Sequence, residues 1–101
     1  MKSLFFHGTT TDGARFTVCG IINGKEDSLK VSGAICSKRD PFVKKIGRLI
    51  SEGRIIKNRN CFHIPLAEAK KDETPTIQTI RTFGGQMNSL SRNEFKLAFG
   101  L

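Results

Sequence analysis

The chain has 101 residues and a formal net charge of +8, with 38% hydrophobic and 26% charged residues. That length suits one small domain with a modest core, and the composition is not that of a disordered chain. No apolar run approaches the roughly 20 residues of a membrane span, and the apolar stretch in MKSLFFHGTT is too short for a secretory signal. A sequence pI near 9.9 favours an anionic partner: nucleic acid, an acidic protein surface or anionic lipid. The odd count of three cysteines, without the spacing of a disulfide framework, fits a reducing cytoplasm.

In chain order, Ser3 to His7 is apolar and β-compatible, ending at the turn-prone Gly8. Ala14 to Asn23 reads as a strand through Phe16, Val18 and Ile22. Asn23-Gly24 is the strongest short-range turn signal in the chain. In the following strand Leu29, Val31 and Gly33 point one way and Lys30 and Ser32 the other. Residues 14–36 are therefore expected to form an antiparallel hairpin that runs directly into a helix.

That helix is expected over about 41–53. Asp40 is a suitable N-cap and Pro41 suits the first helical position. Phe42, Val43, Ile46, Leu49 and Ile50 have the spacing of one helical face, which predicts a stripe turned to the core. Lys44, Lys45 and Arg48 would then project outward, and Gly53 would end the helix in a left-handed conformation. Between Cys36 and Arg59 there are eight basic residues (Lys38, Arg39, Lys44, Lys45, Arg48, Arg54, Lys57 and Arg59) and two acids (Asp40 and Glu52), or +6 of the chain's +8. These eight are the candidate contacts to a nucleic acid or an acidic partner; the bland alternative is an ordinary solvated lysine-rich face.

Past the helix, Cys61 to Ile64 reads as a short strand stopped by Pro65. The order β-β-β-α-β predicts an α+β domain, with the helix on one face of a small antiparallel sheet. Residues 67–75, AEAKKDETP, are polar enough for a linker before a C-terminal extension over 76–101. Thr76 to Phe83 is rich in β-branched residues and leans to strand, broken at Gly84-Gly85. The end of the chain carries two signals. Ser91 to Glu94 has capping-box spacing, with Leu90 placed to staple against Phe95, whereas Phe95, Leu97, Phe99 and Leu101 alternate as in a strand. The short helix is preferred.

Chemistry is sparse. Cys19, Cys36, Cys61 and His63 include zinc-type ligands, but the close Cys pairs of structural zinc sites are missing, and each Cys lies in an apolar β segment where a free thiol packs as a small core residue. A Cys/His nucleophile pair has the same ingredients and no further signature. Gly20 to Gly24 and Gly84-Gly85 lack the strand-to-helix context of a nucleotide loop. The nine carboxylates fall mostly in expected loops or helix starts, which disfavours an acid–base pair or a two-metal site. The expectation is a binding protein without enzymatic activity and without a cofactor.

The segment from Ala34 to Arg54 resembles a pattern in short, uncharacterised phage and mobile-element proteins. In that pattern a strand ending in Cys is followed by Asp-x-Phe, a Lys pair and two Gly-Arg steps, here Cys36, Asp40, Phe42, Lys44-Lys45, Gly47-Arg48 and Gly53-Arg54. The resemblance covers about a fifth of the chain and carries no catalytic residue. It implies an accessory protein of a virus or mobile element. The basic stretch over 38–59 makes nucleic-acid binding the leading expectation, and the alternative is a protein that inhibits or modulates a host protein through the same basic face.

Overall fold

In a computed structural model, which describes residues 3–23, 28–36, 43–65 and 73–101, the element order is β1 (Ser3–Thr9), β2 (Arg15–Asn23), β3 (Ser28–Ile35), α1 (Lys44–Ile56), β4 (Cys61–Pro65), α2 (Glu73–Met87) and α3 (Arg92–Ala98). The strands form one sheet in the order β1-β2-β3-β4 with every neighbour antiparallel. Three helices pack on this sheet, which makes the fold α+β. The expected hairpin is present, with Val18 opposite Gly33 and Ile22 opposite Leu29. The Asn23-Gly24 turn and the Asp40, Pro41 and Phe42 helix start lie wholly or partly outside the described residues.

Alternation along the strands divides the sheet into two unequal faces. One carries Leu4, Phe6, Phe16, Val18, Leu29, Val31, Phe62 and Ile64, and against it pack Ile80, Met87, Phe95 and Phe99 from α2 and α3. Its rings make a continuous chain: Phe16 to Phe95 and Phe95 to Phe99 each have centroids 4.8 Å apart, and Phe62 lies 5.5 Å from Phe99. Each large side chain removed from water here contributes about 1.5–3 kcal/mol. This is the main core, and the C-terminal third of the chain supplies half of it.

The other face is covered by α1 and is small and polar. Among the described residues its apolar part is Cys19, Ile21, Ala34 and Ile55, with Phe5 and Cys61 packed at the side. Around these, Thr17, Ser32 and Ser51 are fully buried. Buried polar groups here are hydrogen-bonded, as they must be: across the interface Ser32 Oγ donates to the Ser51 carbonyl and the Arg54 guanidinium donates to the Gly33 carbonyl, and within α1 Ser51 Oγ donates to the Gly47 carbonyl at 2.7 Å. Gly47 lies directly over Thr17, where a Cβ would come well under 3.0 Å from Thr17 Oγ1.

Three expectations are corrected. The stripe Val43, Ile46, Leu49 and Ile50 does not face the core: these side chains are 42%, 53%, 62% and 43% exposed, and α1 meets the sheet through Gly47, Ser51 and Ile55 instead. The reason is that the large apolar face of the sheet is already occupied by α2 and α3. Second, α1 starts at Lys44 after the extended Val43 and runs past Gly53 to Ile56. Its end is a Schellman motif in which Asn58, at φ 54°, takes the left-handed position; Arg59 N–H donates to the Arg54 carbonyl and Asn58 N–H to that of Ile55. Third, Thr76 to Phe83 is not a strand but lies within α2, and Gly84 is buried against the Phe6 ring. Packing on the sheet overrides the β-branched composition.

The expected helix at the chain end is present. Ser91 and Glu94 form the capping box, and Phe95 and Phe99 are buried one turn apart while Leu97 is 80% exposed. Asp12, in the β1–β2 loop, adds a cap by accepting from the Arg92 N–H at 2.9 Å.

Candidate functional site: the outer face of α1

The inversion of α1 creates the surface of interest. Val43, Ile46, Leu49, Ile50 and Ile56 are all large, apolar and at least 42% exposed. Ile46, Leu49 and Ile56 recur on the side of the helix opposite Gly47, Ser51 and Ile55, and Ile50 and the N-cap Val43 continue the stripe round one flank. Scattered exposed aliphatics are ordinary, but a contiguous stripe along a helix marks an interaction surface.

The predicted basic residues fall into three groups around this stripe. Lys44, Lys45 and Arg48 are exposed. Lys45 adjoins Leu49 on the β1 side of the stripe, whereas Lys44 and Arg48 lie further round the helix from it, toward β1, where the Arg48 guanidinium carbon lies 6.0 Å from the Phe5 ring centroid. Lys57 and Arg59 are exposed beyond the C-terminal end of α1. Arg54 differs from all of these, because its guanidinium is turned to the Gly33 carbonyl and partial burial lowers its pKa. Arg54 therefore anchors the helix to the sheet. Lys38 and Arg39 lie outside the described residues.

Between β1 and α1 is an open hollow of about 330 Å³ lined by Phe5, Lys45, Arg48, Leu49 and Glu52. Phe5 forms an apolar wall, Lys45 and Arg48 bring two cations, and the Glu52 carboxylate accepts from Ser3 Oγ at 2.5 Å. Leu49 belongs both to this hollow and to the apolar stripe, so the two are continuous. Sequence reasoning missed Phe5, Ser3 and His7 as neighbours of the basic helix. Their signal was the β1 alternation, which puts Ser3, Phe5 and His7 on the α1 side of the sheet.

Beneath the N-terminal end of α1, His7 Nδ1 and Thr17 Oγ1 are 2.8 Å apart. The His7 pKa is lowered, first by burial and then by the positive charges of Lys44, Arg48 and Arg15. Cys19 lies deeper, and burial is the main cause that pushes its thiol up to about 12. A thiol of that kind is neutral at physiological pH and a poor nucleophile or metal ligand. Among the described residues, no group of three or more His, Cys, Asp or Glu side chains is placed to hold a metal ion, and no helix is long and apolar enough to cross a membrane. Comparison of the chain with protein-family models, curated proteins and solved structures finds no match.

Proposed function

We propose that the protein is a small non-enzymatic binding protein of the phage or mobile-element accessory type, and that it acts by docking its α1 face on a protein partner with an acidic surface. The observation that carries this reading is the exposed stripe Val43, Ile46, Leu49, Ile50 and Ile56, with Lys45 beside Leu49 and the exposed Arg48 and Lys44 beyond it on the β1 side. Protein interfaces combine an apolar centre with a polar rim in this way. A rim of one sign steers the opposite sign and speeds association. The partner would be a host protein that the factor inhibits or modulates.

Nucleic acid is the second reading, favoured by the +6 charge between Cys36 and Arg59. It accounts for the lysines but leaves the aliphatic stripe without a role, because phosphates are met by cations and bases stack on aromatic rings. Mobility-shift assays with random DNA and RNA at two salt concentrations, alongside capture from lysate with and without nuclease, separate the two. Docking on a protein predicts nuclease-resistant capture and little shift. A shift at micromolar protein that weakens steeply with salt, together with nuclease-sensitive capture, overturns it in favour of nucleic acid.

A further inference from the structure

The stripe and the hollow beside it define the shape and chemistry of what covers them. The stripe is a single ridge along α1, three turns long from Ile46 to Ile56, and among the described residues nothing walls its outer side. A ridge of this kind is complemented by the groove between side chains of another helix, which packs at an interaxial distance of about 8–10 Å. The hollow opens on the β1 side of that ridge and shares Leu49 with it. A residue on the flank of a docked helix therefore reaches it. There it meets Lys45 and Arg48 over an apolar Phe5 wall, while Glu52 is engaged with Ser3. The side chain suited to that setting is a carboxylate on an aliphatic stem.

We infer that the occupant of the α1 face is an acidic amphipathic helix of a partner protein, whose apolar side covers Ile46, Leu49 and Ile50 and whose flanking carboxylate enters the hollow between Lys45 and Arg48. This rests on the protein-docking reading above and adds the class of partner to it. Charge selects this occupant over a second copy of the same chain. From Lys44 to Lys57, leaving aside Arg54, which is turned to the sheet, there are four basic residues (Lys44, Lys45, Arg48 and Lys57) against one acid (Glu52), or +3. Two such faces brought together repel, whereas an acidic flank is attracted.

The test uses the full chain, labelled with ¹⁵N, and two synthetic helical peptides of about 15 residues, long enough to span the ridge. Both carry Leu at helical spacing along one face; one has Glu along the flanks and the other Lys. The Glu peptide is expected to shift the amide signals of Lys45, Ile46, Arg48 and Leu49 and to bind at least about tenfold more tightly than the Lys peptide. The double charge reversal Lys45→Glu with Arg48→Glu is expected to invert that preference. Because both side chains are exposed, the reversal leaves the melting temperature close to that of the wild type. Equal binding of the two peptides, or shifts that map away from α1, overturns the inference. So does concentration-dependent self-association lost in Leu49→Ser, or tighter binding to phosphatidylglycerol vesicles or to duplex DNA than to the Glu peptide. If the protein captures a partner through Leu49 but the charge reversal leaves that capture intact, the acidic-helix inference fails while the docking reading stands. If capture is independent of Leu49, both fail.

Discussion

Gly47→Ala tests how α1 sits on the sheet. In an exposed helix the change would stabilise by about 1 kcal/mol. Here the added methyl would meet Thr17 Oγ1 well under 3.0 Å away and Thr17 Cβ at 3.1 Å. Thr17 cannot easily yield: it is fully buried, lies 2.8 Å from His7 Nδ1, and is held between His7 on β1 and Ala34 on β3. The helix must lift instead, which stretches the Ser32–Ser51 and Arg54–Gly33 hydrogen bonds. Overpacking costs about 1–3 kcal/mol, and each weakened bond loses part of about 0.5–1.5 kcal/mol, or more where the donor is charged. Set against the propensity gain, the net expectation is a destabilisation of about 1–3 kcal/mol. Thermal unfolding reads this as a fall of about 4–8 °C per kcal/mol for a chain of this size. Placed in a Thr17→Ala background, the same change should cost little, because the hydroxyl it meets is gone; the double-mutant cycle measures that relief. A rise in melting temperature for Gly47→Ala alone would refute the close seating of α1 and, with it, the outward direction of the stripe.

Phe95→Ala removes the ring that touches Phe16 and Phe99 and should cost about 3–5 kcal/mol, whereas Leu97→Ala, at an 80% exposed site, should stay within about 0.5 kcal/mol; denaturant melts compare them. Acid should destabilise the protein through His7. Its folded pKa lies below the ordinary 6.5, so the unfolded chain binds the proton first; the contribution is complete above about pH 6.5 and is lost as pH falls through the folded value. His7→Gln should therefore lose less stability than the wild type between about pH 7.5 and pH 5 in thermal melts. Cys19, buried and with its thiol pushed up to about 12, should be alkylated only on unfolding, while the partly exposed Cys36 and Cys61 react in the native protein; mass spectrometry of iodoacetamide-treated protein would contradict this if Cys19 were modified at a similar rate.

The hairpin, the antiparallel sheet and the existence of α1 were legible in the sequence because each carries a local signal. Phe16, Val18, Leu29 and Val31 alternate with polar or small residues, and one face of α1 is apolar. The direction of that apolar face was not legible, because periodicity identifies a stripe without saying what covers it. The deciding fact is distant in sequence: Ile80, Met87, Phe95 and Phe99 take the apolar side of the sheet and leave α1 the side of Thr17 and Ser32. Gly47 carried a legible sign of close approach, because a mid-helix glycine costs about 1 kcal/mol relative to alanine and is kept where a sheet or partner comes near; it does lie over Thr17, and Ser51, one turn on, continues the contact. Helix α2 was misread because Thr76, Ile77, Thr79, Ile80 and Thr82 favour strands locally, and the Gly84 that looked like a breaker is where the helix approaches Phe6. Lys44, Lys45 and Arg48 were singled out from charge alone. That Phe5 lies beside Arg48 was hidden because β1 and α1 are far apart in the chain.

Ile46 and Leu49 are proposed to form a binding surface and not part of the core. The most direct measurement is the double substitution Ile46→Ser with Leu49→Ser, followed by thermal unfolding and partner capture on the same preparation. Because these side chains are 53% and 62% exposed, the account predicts a melting temperature within about 2–4 °C of the wild type, the span of a change near 0.5 kcal/mol, together with loss of the captured partner. A fall of about 8 °C or more, or full retention of the partner, would contradict it.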